Sequence, residues 1–239
     1  MTSPRSTGGG QPRTLNVSTA RQQARDVRSF RMRAEGGAPS YDPGQVALLR
    51  AAGGTESHFA IASAPADAEL EFLIKRTGGA SGEGGQPFYD LREGDSVTLV
   101  EIAGRGFPVS ALSGRDLVFI AMGTGIAPVR SALRHALSNP EGFGQLVVLY
   151  GARTPEDFCY EGETAEWQAA GVELRQVISR PDGYEWAGQI GYVQSLLDNV
   201  LPTLSDPVAL VCGSREMIEH TRNRLQEMGF DPEKILTNY

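Results

Sequence analysis

The sequence predicts a chain of two halves, a β-rich half followed by a parallel α/β half. Between Thr14 and Leu112, extended runs of about 6 to 9 residues are separated by turns with Gly, Pro, Asp or Asn, as in a small barrel or sandwich. After Leu112, near-continuous apolar runs alternate with helical segments, which indicates a parallel sheet covered on both faces. We therefore expect a flexible tail over 1–13, one domain over 14–112 and a second over 113–239.

The β half contains the extended runs in residues 14–34 (two runs), 44–51, 57–64, 69–76 and 95–103. Residues 78–95 interrupt this pattern with a glycine-rich stretch that leads into a short helical turn. Pro87 suits the first helical position of that turn, because the N–H that proline lacks would make no hydrogen bond within the helix there.

The α/β half alternates between the two kinds of element. Strands are predicted over 116–123, 145–152, 172–180 and 207–214, and helices over 129–139, 162–171, 194–204 and 215–229. In the last helix, apolar side chains recur at helical spacing at Met217, Ile218, Leu225 and Met228, and Gly229 marks its end.

Composition excludes several classes of protein. The 239 residues carry a formal net charge of −7, which argues against a general nucleic-acid-binding protein. No apolar run approaches the roughly 18 residues of a membrane span, and the N-terminus lacks the apolar core of a secretory signal. The two cysteines and three histidines are scattered, so we expect no metal or iron–sulfur site and a reducing, cytoplasmic location.

One turn carries the strongest chemical signal. Residues 120–133, IAMGTGIAPVRSAL, pass from a buried strand into a helix through Gly123 and Gly125. Glycines let the backbone approach a ligand, and the free N–H groups at a helix start favour an anion such as phosphate. The alternative is a tight strand-to-helix connection and nothing more, since Pro128 stands where the usual dinucleotide fingerprint has its third glycine.

Three further strand ends support a shared site. They carry the segments YGAR, ISRP and CGS, and the carboxyl ends of parallel strands meet at one edge of the sheet. We therefore expect a phosphate-bearing ligand at that edge. Cys212, in the last segment, is by itself equally typical of a small buried core residue.

A family resemblance rests on the order of the motifs YDPGQ, IASAP, EGD, GRGFP, GTGIAPVRS, YGARTPED and CGS. In this respect the chain resembles the ferredoxin–NADP reductase superfamily over nearly all of residues 14–239, and it is similar to the flavin subunits of bacterial electron-transfer complexes. The resemblance implies an N-terminal antiparallel β-barrel of six strands that holds FAD, followed by a C-terminal doubly wound α/β domain that binds NAD(P)H.

The resemblance also implies roles for residues of the second domain. The pyrophosphate turn of the dinucleotide would be formed by Gly123, Thr124, Gly125, Ile126 and Pro128. The adenosine half would lie along Gly151, Ala152 and Arg153. Ser179 and Arg180 occupy the place where relatives that prefer NADP hold the 2′-phosphate, but relatives that use NADH carry a similar segment, so both nucleotides stay open.

Two residues would lie close to the reacting rings. Cys212, with Gly213 beside it, would border the nicotinamide. The terminal Tyr239 resembles the tyrosine with which plant-type reductases cover the flavin, a lid that has to swing aside for hydride transfer. A frayed chain end is the competing interpretation of Tyr239.

The flavin side departs from the family pattern. The family segment Arg-x-Tyr-Ser aligns with Ser57-His58-Phe59-Ala60, in which Phe59 keeps an aromatic face for the flavin ring. Ser57 replaces the arginine that pairs with the FAD phosphates, a charge-assisted contact worth roughly 1.5–3 kcal/mol. Ala60 has no side-chain donor for the flavin N5, and His58 compensates only if it is protonated. The cofactor contacts assigned to this side are Phe59, Ala60, Ile61, Ala62, Ser63, Gly84 and Gly85.

The amides of Gly84 and Gly85 would replace a family hydroxyl as a phosphate cradle, and a flexible solvent loop is the alternative. The whole pattern predicts an NAD(P)H-dependent flavin oxidoreductase whose acceptor is a redox protein, iron–sulfur or similar, or a small oxidant. The alternatives are a non-catalytic nucleotide-binding module with a degenerate flavin site, and a flavin reductase with loosely bound flavin.

Overall fold

A computed structural model describes residues 11–76 and 85–238, which form two six-stranded sheets. The strands of the first sheet are β1 (Arg13–Ala24), β2 (Val27–Ala34), β3 (Val46–Arg50), β4 (Glu56–Ala60), β5 (Leu70–Lys75) and β6 (Ser96–Ala103). Their order is β4-β3-β6-β1-β2-β5, and every pairing is antiparallel. A bridge between Ile61 and Phe72 joins the two edge strands and closes the sheet into a barrel, as the sequence predicts.

The barrel interior is filled by alternate residues of its strands, including Leu15, Phe30, Met32, Leu49 and Phe72. A short helix, α1 (Gln86–Tyr89), lies against this interior with Phe88 fully buried. Arg28 holds the end of the helix, since its guanidinium donates to the carbonyls of Tyr89 at 2.6 Å and Leu91 at 3.0 Å. Pro87 is the second residue of α1 and not the first.

The second sheet is parallel throughout. Its strands are β7 (Asp116–Met122), β8 (Leu146–Ala152), β9 (Glu173–Ile178), β10 (Gln189–Ile190), β11 (Pro207–Cys212) and β12 (Ile235–Thr237). Their order is β10-β9-β8-β7-β11-β12, with β7 in the middle, as in a doubly wound fold. The helices are α2 (Ile126–Leu137), α3 (Thr164–Ala169), α4 (Leu197–Val200) and α5 (Arg215–Glu227). In the described part of the chain, no helix has the length and apolar character that crossing a bilayer requires.

Two helices differ from the prediction. α2 begins at Ile126 instead of at residue 129, so Pro128 lies in its first turn. A proline is tolerated there because the N–H groups of the first turn have no hydrogen-bond partner within the helix. The helix predicted over 194–204 is broken into α4 and two flanking 3₁₀ turns, the second of which contains Pro202. The strands β10 and β12 are too short to produce a sequence pattern of their own.

A buried arginine joins the two domains. The side chain of Arg130, on α2, is 1% exposed, and its guanidinium binds both carboxylate oxygens of Glu163 at 2.6 and 2.8 Å. It also donates to the carbonyl of Ala62 at 2.8 Å and lies 3.3 Å from the carboxylate of Glu71 on β5. Its charge faces the ring of Tyr160 at 4.3 Å. We call Arg130, Glu71 and Glu163 the domain clamp.

The next residue of α2 extends this contact. The hydroxyl of Ser131 donates to the carbonyl of Ser63 at 2.6 Å and accepts from the amide of Gly44 at 3.2 Å. Ala62 and Ser63 are therefore part of the domain interface, and both are buried, whereas the neighbouring Ile61 is buried in the barrel core. The motif GTGIAPVRS thus contains both the glycine turn and the residues that dock the barrel.

We expect Arg130→Met to lower the free energy of unfolding by about 3–5 kcal/mol, because it removes the buried counter-charge of Glu163 and Glu71 and leaves the buried Glu71 carboxylate with the half-exposed Arg31 as its remaining partner. Arg134→Met is the matched control. Arg134 lies on the same helix, but it pairs with Asp67 at side-chain exposures of 34% and 30%, so its loss should cost about 0–1 kcal/mol. Urea unfolding of both variants gives the comparison, and equal losses would contradict a dominant role for the clamp.

Candidate cofactor site between the two domains

A cavity of about 910 Å³ lies where the barrel faces the carboxyl ends of the parallel strands. The barrel contributes Asp26, Val27, His58, Phe59, Ala60, Leu73 and Lys75. The second domain contributes three groups of residues: Met122–Gly125 with Ala127 and Pro128; Gly151–Arg153 with Asp157, Ser179, Arg180 and 191–194; and Cys212–Ser214 with Glu216, Met217 and His220. Most residues that the sequence assigned to two separate cofactors therefore line one continuous space.

The glycine turn lies at the centre of this cavity. Residues Gly123–Gly125 form a 3₁₀ turn between β7 and α2. Gly123 has a φ of +55°, a conformation that favours glycine. A Cβ atom on Gly125 would overlap the carbonyl oxygen of Cys212 at the end of β11. The two glycines are thus needed for different reasons. Gly123 adopts the backbone conformation of the turn, and Gly125 allows the turn to contact the end of β11 directly.

The end of the cavity beside β8 and β9 is the one assigned to adenosine. Arg153 follows β8, and its Nε atom lies 3.4 Å from the carboxylate of Asp157. Arg180 follows β9, and its amide donates to the carbonyl of Arg153 at 2.8 Å, so the two strand ends are tied together. Among the described residues, no carboxylate lies within 4 Å of the Arg180 guanidinium. This end therefore offers positive charge to an anionic ligand.

Cys212 lies at the other side of the turn. Burial raises the pKa of its thiol to about 12. The side chain is therefore a neutral thiol at physiological pH and not a thiolate nucleophile. Its assignment to the reacting centre stays a prediction, and the chemistry it offers is a small, weakly polar contact.

On the barrel side, Phe59 and Ala60 line the cavity. The ring of Phe59 meets that of Phe88 edge-on at 5.0 Å, which fixes its orientation. Four other residues predicted as cofactor contacts do not line the cavity: Ile61 in the barrel core, Ala62 and Ser63 at the domain interface, and Gly85, buried at the start of α1. Ile126 is likewise buried behind the turn. Gly84 and Tyr239 lie outside the described residues.

Among the polar residues of the cavity that sequence reasoning missed, Lys75 and Gln194 bear most on ligand binding. Lys75 ends β5 on the barrel side, where no carboxylate of the described residues lies within 4 Å of its ammonium. The sequence could have indicated Lys75, because it follows the apolar run of a predicted strand. Gln194 lines the opposite end, and its side-chain oxygen is buried without a partner among the described residues. No sequence pattern singled it out.

We expect Gly125→Ala to weaken the binding of ADP-ribose by at least roughly tenfold, since the added methyl group forces the turn away from Cys212. Gly53→Ala is the matched control, because a Cβ atom there meets nothing within 4 Å. Titration calorimetry measures both affinities, and thermal melting checks that both variants fold. Unchanged affinity in a folded Gly125→Ala protein would contradict the assignment of the turn.

Comparisons with known proteins place this geometry in a family. The family model described as an oxidoreductase NAD-binding domain matches residues 119–223. The chain is 33% identical to the fruit protein pKIWI502 of Actinidia deliciosa over 196 residues, which are 75% of this chain and 58% of that protein. It is 30% identical to ferredoxin–NADP reductase B of Sorangium cellulosum over 200 residues, or 80% of this chain and 81% of that one.

The same relationship is visible in three dimensions. The crystal structure of the Amycolatopsis cytochrome P450 reductase GcoB superposes with a TM-score of 0.82 at 25% identity, covering 95% of this chain and 69% of that one. The chain thus spans somewhat more than half of pKIWI502 and about two thirds of GcoB. The superposition on GcoB covers 95% of this chain, and the sequence alignment covers 81% of the Sorangium reductase. The chain belongs to the ferredoxin–NADP reductase family of FAD- and NAD(P)-binding oxidoreductases.

Proposed function

We propose that this protein is an oxidoreductase that takes electrons from NAD(P)H and passes them through FAD to a redox protein or a small oxidant. One observation carries the proposal: the barrel and the parallel sheet contribute opposite walls of a single cavity. Two cofactors bound to those walls would face each other without a change in fold, and the alignment of reacting groups is the main contribution that a protein makes to such chemistry.

The residues of the second domain suit a nicotinamide dinucleotide. The turn Gly123–Gly125 presents backbone N–H groups at the start of α2, where a pyrophosphate is favoured. Arg153 and Arg180 supply positive charge at the adenosine end. The buried, unpartnered oxygen of Gln194 is an acceptor that a ligand amine or hydroxyl would satisfy.

The barrel side suits FAD with an altered set of contacts. Phe59 offers an aromatic face, and the apolar side chains of Val27 and Leu73 limit the access of water. Ser57 cannot replace the family arginine, so Lys75 is the cation that the barrel adds to the cavity. When bound, FAD accepts a hydride from the nicotinamide and returns the electrons singly. The chain itself needs no acid–base residue for this step, and the neutral thiol of Cys212 is consistent with that.

The acceptor belongs to the same proposal. A ferredoxin, as in the name of the Sorangium relative, or a cytochrome, as in that of GcoB, is a one-electron acceptor of the proposed kind. Iron–sulfur clusters usually take four cysteine ligands, and this sequence has two cysteines, so we propose a cluster or haem on a separate protein. We further propose a cytoplasmic setting, in keeping with two free thiols.

Anaerobic reduction tests the proposal directly. Protein loaded with FAD should lose its flavin absorption within seconds of mixing with NADH or NADPH, whereas free FAD in the same buffer should bleach far more slowly. A protein that binds ADP-ribose but neither takes up FAD nor bleaches would be a nucleotide-binding module instead. Reduced flavin that passes an ultrafiltration membrane during turnover would identify a flavin reductase.

We expect Ser57→Arg to tighten FAD binding by roughly tenfold or more, because it restores a charge-assisted contact of about 1.5–3 kcal/mol. Ser57 lies on the same face of β4 as Phe59, so the new guanidinium would lie on the flavin side of the strand. Ser57→Met is the control of similar length without charge. Fluorescence titration with FAD gives the three affinities, and an equal gain in both variants would show that packing is responsible and not charge.

A further inference from the structure

Tyr150 connects the interior of the second domain to the glycine turn. It lies in β8 and is 1% exposed. Its hydroxyl donates to the carbonyl of Gly123 at 3.0 Å and accepts from the amide of Cys159 at 3.1 Å. The ring of Phe158 meets the Tyr150 ring edge-on at 4.9 Å and fixes it further. The hydroxyl is therefore held between two backbone groups, one of which belongs to the cavity.

The bond to Gly123 determines the direction of the next amide. The carbonyl of Gly123 and the N–H of Thr124 belong to one planar trans peptide unit, so they point in opposite directions. Because the carbonyl points to the buried Tyr150, the N–H of Thr124 points away from the interior, to the side on which Thr124 lines the cavity.

We infer that Tyr150 is a positioning residue that aims the backbone N–H of Thr124 at a phosphate of the bound dinucleotide. This inference rests on the function proposed above. A glycine at φ +55° has more backbone freedom than any other residue, and within the turn its carbonyl accepts from the amide of Ile126, so a second anchor from outside the turn holds the peptide orientation more firmly. Tyr150 supplies that anchor without touching the ligand.

The chemistry of the hydroxyl fits this task. Burial raises the pKa of Tyr150 well above its ordinary value, so the group remains a neutral donor over the whole working range of pH. A donor in the interior is also shielded from competing water. Phenylalanine would fill the same space and keep the contact with Phe158, but it would leave the Gly123 carbonyl with the Ile126 amide as its partner, and so allow the peptide a wider range of orientations.

The chain offers a matched control in Tyr160. This tyrosine is 3% exposed, and its hydroxyl has no hydrogen-bond partner among the described residues. Its ring faces Arg130, a contact that phenylalanine would keep. Tyr160→Phe therefore removes a buried hydroxyl that orients nothing, whereas Tyr150→Phe removes one that orients the turn.

Titration calorimetry with ADP-ribose and with adenosine tests the inference on FAD-loaded protein. We expect Tyr150→Phe to raise the dissociation constant of ADP-ribose about five- to tenfold, in the range of one lost hydrogen bond, and to leave that of adenosine unchanged. Since a phosphate contact is remote from the reacting atoms, the limiting rate of flavin reduction at saturating nucleotide should stay within about twofold of the wild type. Tyr160→Phe should change none of these values.

Several results would overturn the inference. One is an ADP-ribose affinity of Tyr150→Phe equal to that of the wild type, and another is an equal loss for ADP-ribose and adenosine, which a general loosening of the domain would give. Amide hydrogen exchange of the wild type is independent of any variant: bound ADP-ribose should slow exchange at Thr124, and unchanged exchange there would refute the contact. A wild-type protein that binds ADP-ribose but whose FAD is not reduced by NADH or NADPH would refute the proposed function instead. The ratios of the ADP-ribose and adenosine dissociation constants between Tyr150→Phe and the wild type would still test the role of Tyr150.

Discussion

The cavity lies between two domains that a buried cation, Arg130, ties together. Arg130 binds Glu163 of its own domain, and the carbonyl of Ala62 and the carboxylate of Glu71 in the barrel, at an exposure of 1%. Burial opposes this charge, but the hydrogen bonds with Glu163 and the neighbouring anions outweigh it and raise the pKa of Arg130. Because Arg130 lies on the helix that begins at the glycine turn, the helix whose start would bind one cofactor also contacts the domain that would bind the other.

The electrostatics of the cavity differ from those of the whole chain. The protein carries a net charge of −7, whereas the charged residues that line the cavity are balanced, with Lys75, Arg153 and Arg180 against Asp26, Asp157 and Glu216. These cations are placed at opposite ends, one on the barrel and two on the parallel sheet. The barrel lacks the arginine and serine that the family resemblance assigns to FAD binding, so its contacts with the flavin would be Phe59, Lys75 and backbone groups. We therefore expect weaker FAD binding than in relatives that keep the arginine.

The architecture and the main turn were predictable from the sequence, because apolar runs and glycine positions are local signals. The six barrel strands, four strands of the parallel sheet (β7, β8, β9 and β11) and the shared edge with Gly123, Gly151 and Cys212 follow from them. The burial of Arg130 was not predictable, since a charged residue in a helix pattern is ordinarily solvent-exposed and its partners come from distant segments. For the same reason the contacts of Ala62 and Ser63 with α2 were not predictable, and the assignment of Ile61, Ala62 and Ser63 to a cofactor stays a prediction. The boundary at residue 113 stays a prediction, with β6 ending at Ala103 and β7 beginning at Asp116.

The central claim is that one cavity brings a flavin and a dinucleotide face to face. A crystal structure of the protein with FAD and NAD⁺ or NADP⁺ tests it most directly. The account predicts the flavin ring against Phe59, the dinucleotide pyrophosphate on the turn Gly123–Gly125, and the nicotinamide between Cys212 and the flavin. Density for either cofactor on another face of the molecule, or a pyrophosphate that bypasses the glycine turn, would contradict it.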